Sequence, residues 1–127
     1  MDKERLFQEL AEIVGKDDIR TSEMQLQEYS YDASLIKGKP DCVVIPESTE
    51  EVSRIAKLAH QNGIPLIARG TGSSLSGGPI PIKGGIVLLT TPKMNRILEI
   101  DIENQRVVVE PGVITLGLKN ELAKYGY

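Results

Sequence analysis

The sequence predicts an α+β fold, a β-α-β unit followed by a small mixed or antiparallel sheet with flanking helices. Three observations carry that prediction. Apolar runs at residues 42–45 and 66–68 bracket a segment with one apolar helical face. A period-two alternation of apolar and acidic residues follows at 98–103. Between the two patterns lies a stretch crowded with glycine that fits neither period.

In residues 3–14, Leu6, Leu10, Ile13 and Val14 fall at helical spacing, and Gly15 ends the segment. Residues 16–41 are mostly polar, with a short helix expected near 23–29 and then a loop through Tyr31, Asp32 and Gly38. Residues 42–45 read as a buried strand that Pro46 stops. Ser48 and Glu51 fit a capping box, with Ser48 covering a free backbone N–H and Glu51 reaching back. Val52, Ile55, Ala56 and Ala59 form one apolar helical face, and Asn62-Gly63 ends that helix. Leu66, Ile67 and Ala68 form a second strand just beyond Pro65. Strand, helix and strand with short connections make a right-handed parallel crossover. Residues 86–89 are a third apolar strand. Leu98, Ile100 and Ile102 alternate with Glu99, Asp101 and Glu103, which implies one wet face. A polar turn at 103–105 and a returning run at 106–110 complete a hairpin, which Pro111-Gly112 breaks. Thr115 is expected to cap a last helix carrying Leu118 and Leu122.

The chain has 127 residues, 40% apolar and 26% charged, ordinary values for a soluble globular chain. Such a length buries about two thirds of the surface its unfolded chain exposes. Aromatic residues are only 4%, with no Trp and a single Phe, so the core is aliphatic and a base-stacking platform is disfavoured. Fifteen basic residues against eighteen acidic ones give a charge of -3, with no basic excess to draw the chain to nucleic acid or an acidic membrane face. The one cysteine, Cys42, cannot close an internal disulfide or build a zinc site, so a reducing compartment is expected. The N-terminus shows no signal peptide, and the longest aliphatic runs fall far short of the about 20 residues that span a bilayer. A cytoplasmic protein is expected, with peripheral attachment to a membrane through a partner left open.

Residues 69–78 read Arg-Gly-Thr-Gly-Ser-Ser-Leu-Ser-Gly-Gly, with four glycines, three serines and a threonine. Glycine lets successive N–H groups turn toward one point, and such a nest binds anions. The hydroxyls of Thr71, Ser73, Ser74 and Ser76 add neutral donors. A phosphate or pyrophosphate is the natural guest; the alternative is a flexible surface loop or a turn that tolerates glycine. Two familiar phosphate loops do not fit. Gly72 and Gly77 have P-loop spacing, but Gly78-Pro79 stands where Lys-Ser/Thr is required. Gly70-Thr71-Gly72 begins a dinucleotide fingerprint, but Leu75 takes the third glycine's place, and Pro79 and Pro81 forbid a helix soon after. The charge of a guest would then be met by loop amides rather than by a helix terminus.

Further motifs accompany the loop: Val44-Ile45-Pro46 with Glu51-Val52, Pro65-Leu66-Ile67-Ala68-Arg69-Gly70 with Gly72, Ser76-Gly77-Gly78, Met94-Asn95-Arg96-Ile97, and Glu110-Pro111-Gly112-Val113. In this order they resemble the start of the FAD-linked oxidase family, of the PCMH or vanillyl-alcohol-oxidase type. The similarity is greatest to the glycolate oxidase flavin subunit and D-lactate dehydrogenase branch. The resemblance implies the first lobe of a PCMH-type FAD-binding domain, with residues 1–41 an N-terminal helical segment and 42–127 an incomplete part of that domain. It implies that Gly70, Thr71, Gly72, Ser73 and Ser74 hold the FAD pyrophosphate, with Gly78 and Pro79 at the far end. Pro46 and the corner Pro111, Gly112 and Val113 would lie along the nucleotide; a strand-ending proline and a bulge are the plain alternatives.

Some relatives attach flavin covalently through a His in the loop; Ser73 stands at that place here, so noncovalent FAD is expected. His60 reads as a helix-end or surface residue and Cys42 as a small core residue. Arg69 suits either a phosphate countercharge or an anchor for the loop. No catalytic residue, metal cluster or catalytic triad is placed within the chain. The implied whole enzyme oxidises a small 2-hydroxy acid, glycolate or D-lactate, with the remainder of the flavoenzyme in the same or a separate chain. The alternatives are a non-catalytic interaction module and a nucleotide-binding regulator built on the same lobe.

Overall fold

The structure, a computed structural model, describes residues 2–127. Its elements are α1 (Lys3–Val14), β1 (Ile19–Arg20), α2 (Glu23–Gln27), β2 (Cys42–Val44), α3 (Thr49–Gln61), β3 (Leu66–Arg69), β4 (Ile86–Leu89), β5 (Ile97–Asp101), β6 (Arg106–Val109) and α4 (Thr115–Ala123). A short 3-10 turn, Lys16–Asp18, joins α1 to β1.

Four strands form one sheet in the order β1-β2-β4-β3, and β5 and β6 form a separate two-stranded sheet. This is the mixed α+β architecture the patterns predict. β2 and β3 run parallel, as a crossover requires, but they are not neighbours. β4 inserts between them and pairs parallel with both, Val43 and Ile67 each facing Val87. The burial of β4 explains its place: all four of its residues are buried, as a central parallel strand covered on both faces demands. β1 adds an antiparallel edge to β2.

Side chains alternate across this sheet. Cys42, Val44, Ile86 and Leu88 face α1 and α3, where they meet Leu6, Leu10, Val14, Ile55, Leu58 and Ala59. Val43, Ile45, Val87 and Leu89 face the other way, against Leu26 of α2 and the flanking Tyr29 and Ile67. The expected face of α3 holds at Ile55 and Ala59, which are buried, and at Val52, which packs on the core, and it also takes in Leu58. Leu58 is buried, whereas Val52 and Ala56 are only half-buried.

The capping box of α3 forms in a shifted version. Ser48 Oγ accepts the N–H of Glu51 at 3.2 Å, but the Glu51 carboxylate takes the N–H of Glu47, at 2.8 Å, rather than that of the cap residue. Thr115 does not cap α4. The helix already includes Thr115, its N-cap is Ile114, and no side chain caps it. A tight turn closes Val113 N–H onto Glu110 O, and Ile114 then runs extended into the helix.

The hairpin forms, but its expected alternation breaks. A register shift between Ile97 and Glu99 bulges the strand at Leu98, which is 57% exposed. Ile102 falls in the turn, beyond the end of β5. The hairpin is held at its base by Glu110, whose carboxylate accepts from Arg96 Nη2 at 2.6 Å, Arg96 Nε at 3.1 Å and the Arg96 backbone N–H at 2.8 Å.

Candidate functional site

Three parallel strands end at one edge of the main sheet. Continuing the register past the last pairs, Val44 with Leu88 and Arg69 with Leu89, puts Pro46, Thr90 and Gly70 at one level. The carboxyl edge of parallel strands is where open α/β sheets receive ligands. The glycine-rich loop leaves β3 there.

Its first residues are open. Gly70, Thr71, Ser73 and Leu75 are exposed, and Gly72 and Ser74 are half-buried. The amides of residues 70–75 donate to no other described residue. The hydroxyls of Thr71 and Ser73 lie 3.0 Å apart. Gly72 has φ +75, and a Cβ there would fall 2.1 Å from Arg69 Nη2. The backbone of the loop thus lies directly on the guanidinium, which only a glycine permits.

Arg69 is 6% exposed. Its Nη2 donates to Tyr31 O at 2.9 Å, and its guanidinium sits 5.7 Å from the centre of the Tyr29 ring. Nη1 is buried with no partner. Arg69 therefore anchors the loop, the second of the two roles its sequence position allowed, and it also sets a positive charge beneath Gly72.

Residues 31–33 clasp the loop from outside. Besides the Arg69 bond to Tyr31 O, Ala33 N–H donates to Ser74 O at 3.0 Å and Gly77 N–H donates to Asp32 Oδ2 at 3.0 Å. Asp32 Oδ1 accepts from the Ser34 amide at 2.7 Å and from its hydroxyl. The Ser34 hydroxyl, and then the amides of Ser34 and Gly77 and the nearby Arg69, hold the Asp32 carboxyl below its ordinary value against partial desolvation. Asp32 is therefore ionised at neutral pH. None of this clasp was visible as a site in the sequence, because the partners stand some 45 positions apart in the case of Asp32 and Gly77.

The other expected residues lie along the same edge in different states. The Pro46 ring is fully buried at the end of β2. Pro79 is buried and Gly78 exposed. The corner Pro111, Gly112 and Val113 packs on the end of β4: Gly112 N–H donates to Met94 O at 2.7 Å, and a Cβ on Gly112 would fall 2.2 Å from Thr90 O. Thr90 N–H in turn donates to Arg69 O at 3.1 Å. The fold thus gathers Pro46, the loop and the corner around Thr90. Pro46, Pro79 and Gly112 offer shape and backbone there, while residues 70–74 offer exposed donors.

The site suits an anion: open amides, hydroxyls and a buried cation with an unused donor. It suits a diphosphate in particular, because several adjacent amides are free at once. A family profile described as FAD binding domain matches residues 40–127. The chain belongs to the FAD binding domain family.

Curated and solved proteins similar to this chain include oxidases and dehydrogenases. Glycolate oxidase subunit GlcD of Bacillus subtilis (strain 168) is 41% identical over 112 residues, 87% of this chain and 24% of that protein. A D-lactate dehydrogenase of Anaerostipes hadrus is 37% identical over 102 residues, 79% of this chain and 21% of that protein. The solved structure of 4-ethylphenol oxidase from Gulosibacter chungangensis superposes with a TM-score of 0.84 at 35% identity, over 97% of this chain and 24% of that one. The chain spans about a quarter of the length of the curated relatives it matches.

The remaining chemistry-bearing residues of the chain stand apart from the loop. Cys42 is buried in the core, and burial pushes its thiol up to about 12, so it is no nucleophile. His60 is exposed near the end of α3. Among the described residues, no group of His, Cys, Asp and Glu is placed to hold a metal ion, and no helix is long and apolar enough to cross a membrane.

Proposed function

We propose that this chain is the nucleotide-binding lobe of a flavin-dependent 2-hydroxy-acid dehydrogenase or oxidase acting on glycolate or D-lactate. The observation that carries the reading is the run of unclaimed amides at residues 70–75, on a parallel-strand edge of an FAD-binding fold. The glycolate oxidase and D-lactate dehydrogenase relatives support the substrate class.

FAD supplies the hydride acceptor when bound. The chain's part is to hold and orient it. Amides and hydroxyls of Gly70, Thr71, Gly72, Ser73 and Ser74 take the diphosphate, Arg69 supports them from below, and the corner 111–113 and Pro46 shape the wall beside it. Binding is noncovalent. Ser73 offers no imidazole or thiol, His60 lies on an exposed helix end, and the Cys42 thiol is enclosed in the core.

The proton-abstracting and substrate-binding groups come from the remainder of the flavoenzyme. Exposed apolar residues support such a partner surface: Leu98, Val108 and Val109 on the hairpin, with Ile114 and Leu116 at the start of α4. The test is titration of this chain with FAD, followed by addition of the remainder of the enzyme and of D-lactate or glycolate. Weak flavin binding alone and bleaching of the flavin absorbance only in the completed protein are expected. Full turnover by the 127-residue chain alone, or no flavin uptake in either form, would defeat the proposal.

A further inference from the structure

Opposite charges meet the loop at two points, Arg69 beneath Gly72 and Asp32 at Gly77. Arg69 lies beneath Gly72, is 6% exposed, and keeps a buried Nη1 with no partner among the described residues. The neighbouring amides of residues 70–75 are unclaimed. At the other point, the Gly77 amide is already given to Asp32, whose carboxylate lies 3.0 Å from it. A donor so engaged is lost to an incoming anion, and the carboxylate repels that anion as well.

We propose that Asp32 and Arg69 polarise the glycine loop, directing a diphosphate to residues 70–74 and away from Gly77. The inference rests on the FAD reading above. It divides the expected contacts by charge: Gly70 to Ser74 face the diphosphate, and Gly78 and Pro79 face an uncharged part of the dinucleotide. Asp32 is a positioning residue. It touches no cofactor and acts through the Gly77 amide and through its charge. The clasp from residues 31–33 is what brings it there, since Tyr31 O, Asp32 Oδ2 and Ala33 N–H each bind a different point of the loop.

The test is titration of the isotope-labelled chain with FAD, following backbone amide shifts residue by residue. In the wild type the changes gather at residues 70–74, and Gly77 and Gly78 move little. Asp32→Asn, which removes the charge and nearly keeps the shape, spreads the changes to Gly77 and Gly78. Arg69→Gln raises the FAD dissociation constant about tenfold, the effect of losing one charge-assisted interaction, whereas Arg69→Lys, which keeps the charge, raises it less. Changes centred on residues 76–78 in the wild type overturn the inference while leaving the FAD reading intact, and so does an unaltered pattern in Asp32→Asn. No shift anywhere in the loop at millimolar FAD overturns the FAD reading, and this inference with it.

Discussion

Gly72 lies at φ +75 on top of the Arg69 guanidinium, with no room for a Cβ. Gly72→Ala is expected to cost about 1–3 kcal/mol through backbone strain and the displacement of Arg69. Thermal unfolding measures that loss, and flavin binding should weaken with it. Asp32 carries the pH dependence of the loop. Its folded carboxyl is held below the unfolded value, so the clasp is intact above about pH 4 and is lost as pH falls through the depressed native value. The amide shift of Gly77 reports this directly, with a midpoint below that of an ordinary aspartate. The glycines of the loop were legible in the sequence because their density fits neither the helical nor the strand period around them. Asp32 was not, since an isolated aspartate in a polar stretch looks like any solvated residue until the fold brings it to Gly77.

At the scale of elements, periodicity located the helices and strands because burial on one face imposes it. α1 runs over Lys3–Val14, with Leu6, Leu10 and Val14 inward, as its spacing predicts. Ile55 of α3 is fully buried between α1 and the sheet, and Ile55→Ala is expected to cost about 2–5 kcal/mol by chemical denaturation. Ser48→Ala removes the acceptor for the Glu51 amide and is expected to cost about 1 kcal/mol. The errors also have local causes. The Leu98 bulge inserts a residue that a strict period of two does not allow, and the Glu51 side chain chose an amide one residue upstream of the expected one. The place of β4 was beyond any local pattern, because an all-apolar strand looks the same at a sheet's edge and at its centre.

For the molecule as a whole, one sheet is covered on both faces while the hairpin and α4 leave apolar side chains in water. Val108→Glu combined with Leu116→Lys should leave the stability of this chain within about 0.5 kcal/mol, as surface changes usually do. The same pair should block assembly with the remainder of the flavoenzyme, measured by co-purification and flavin retention. Equal assembly with and without the changes would move the partner surface elsewhere.

By itself the sequence determined the fold class, most of the element positions, the unusual glycine content of residues 69–78 and the likeness to FAD-linked oxidases. Those properties are local: period, capping and glycine content are written in neighbouring residues. Only the tertiary structure decided that β4 parts β2 from β3, that residues 31–33 clasp the loop, that Arg69 lies beneath Gly72 and that Gly112 abuts Thr90. Each of these joins groups distant along the chain, and such contacts depend on how whole elements pack, which no short window of sequence records.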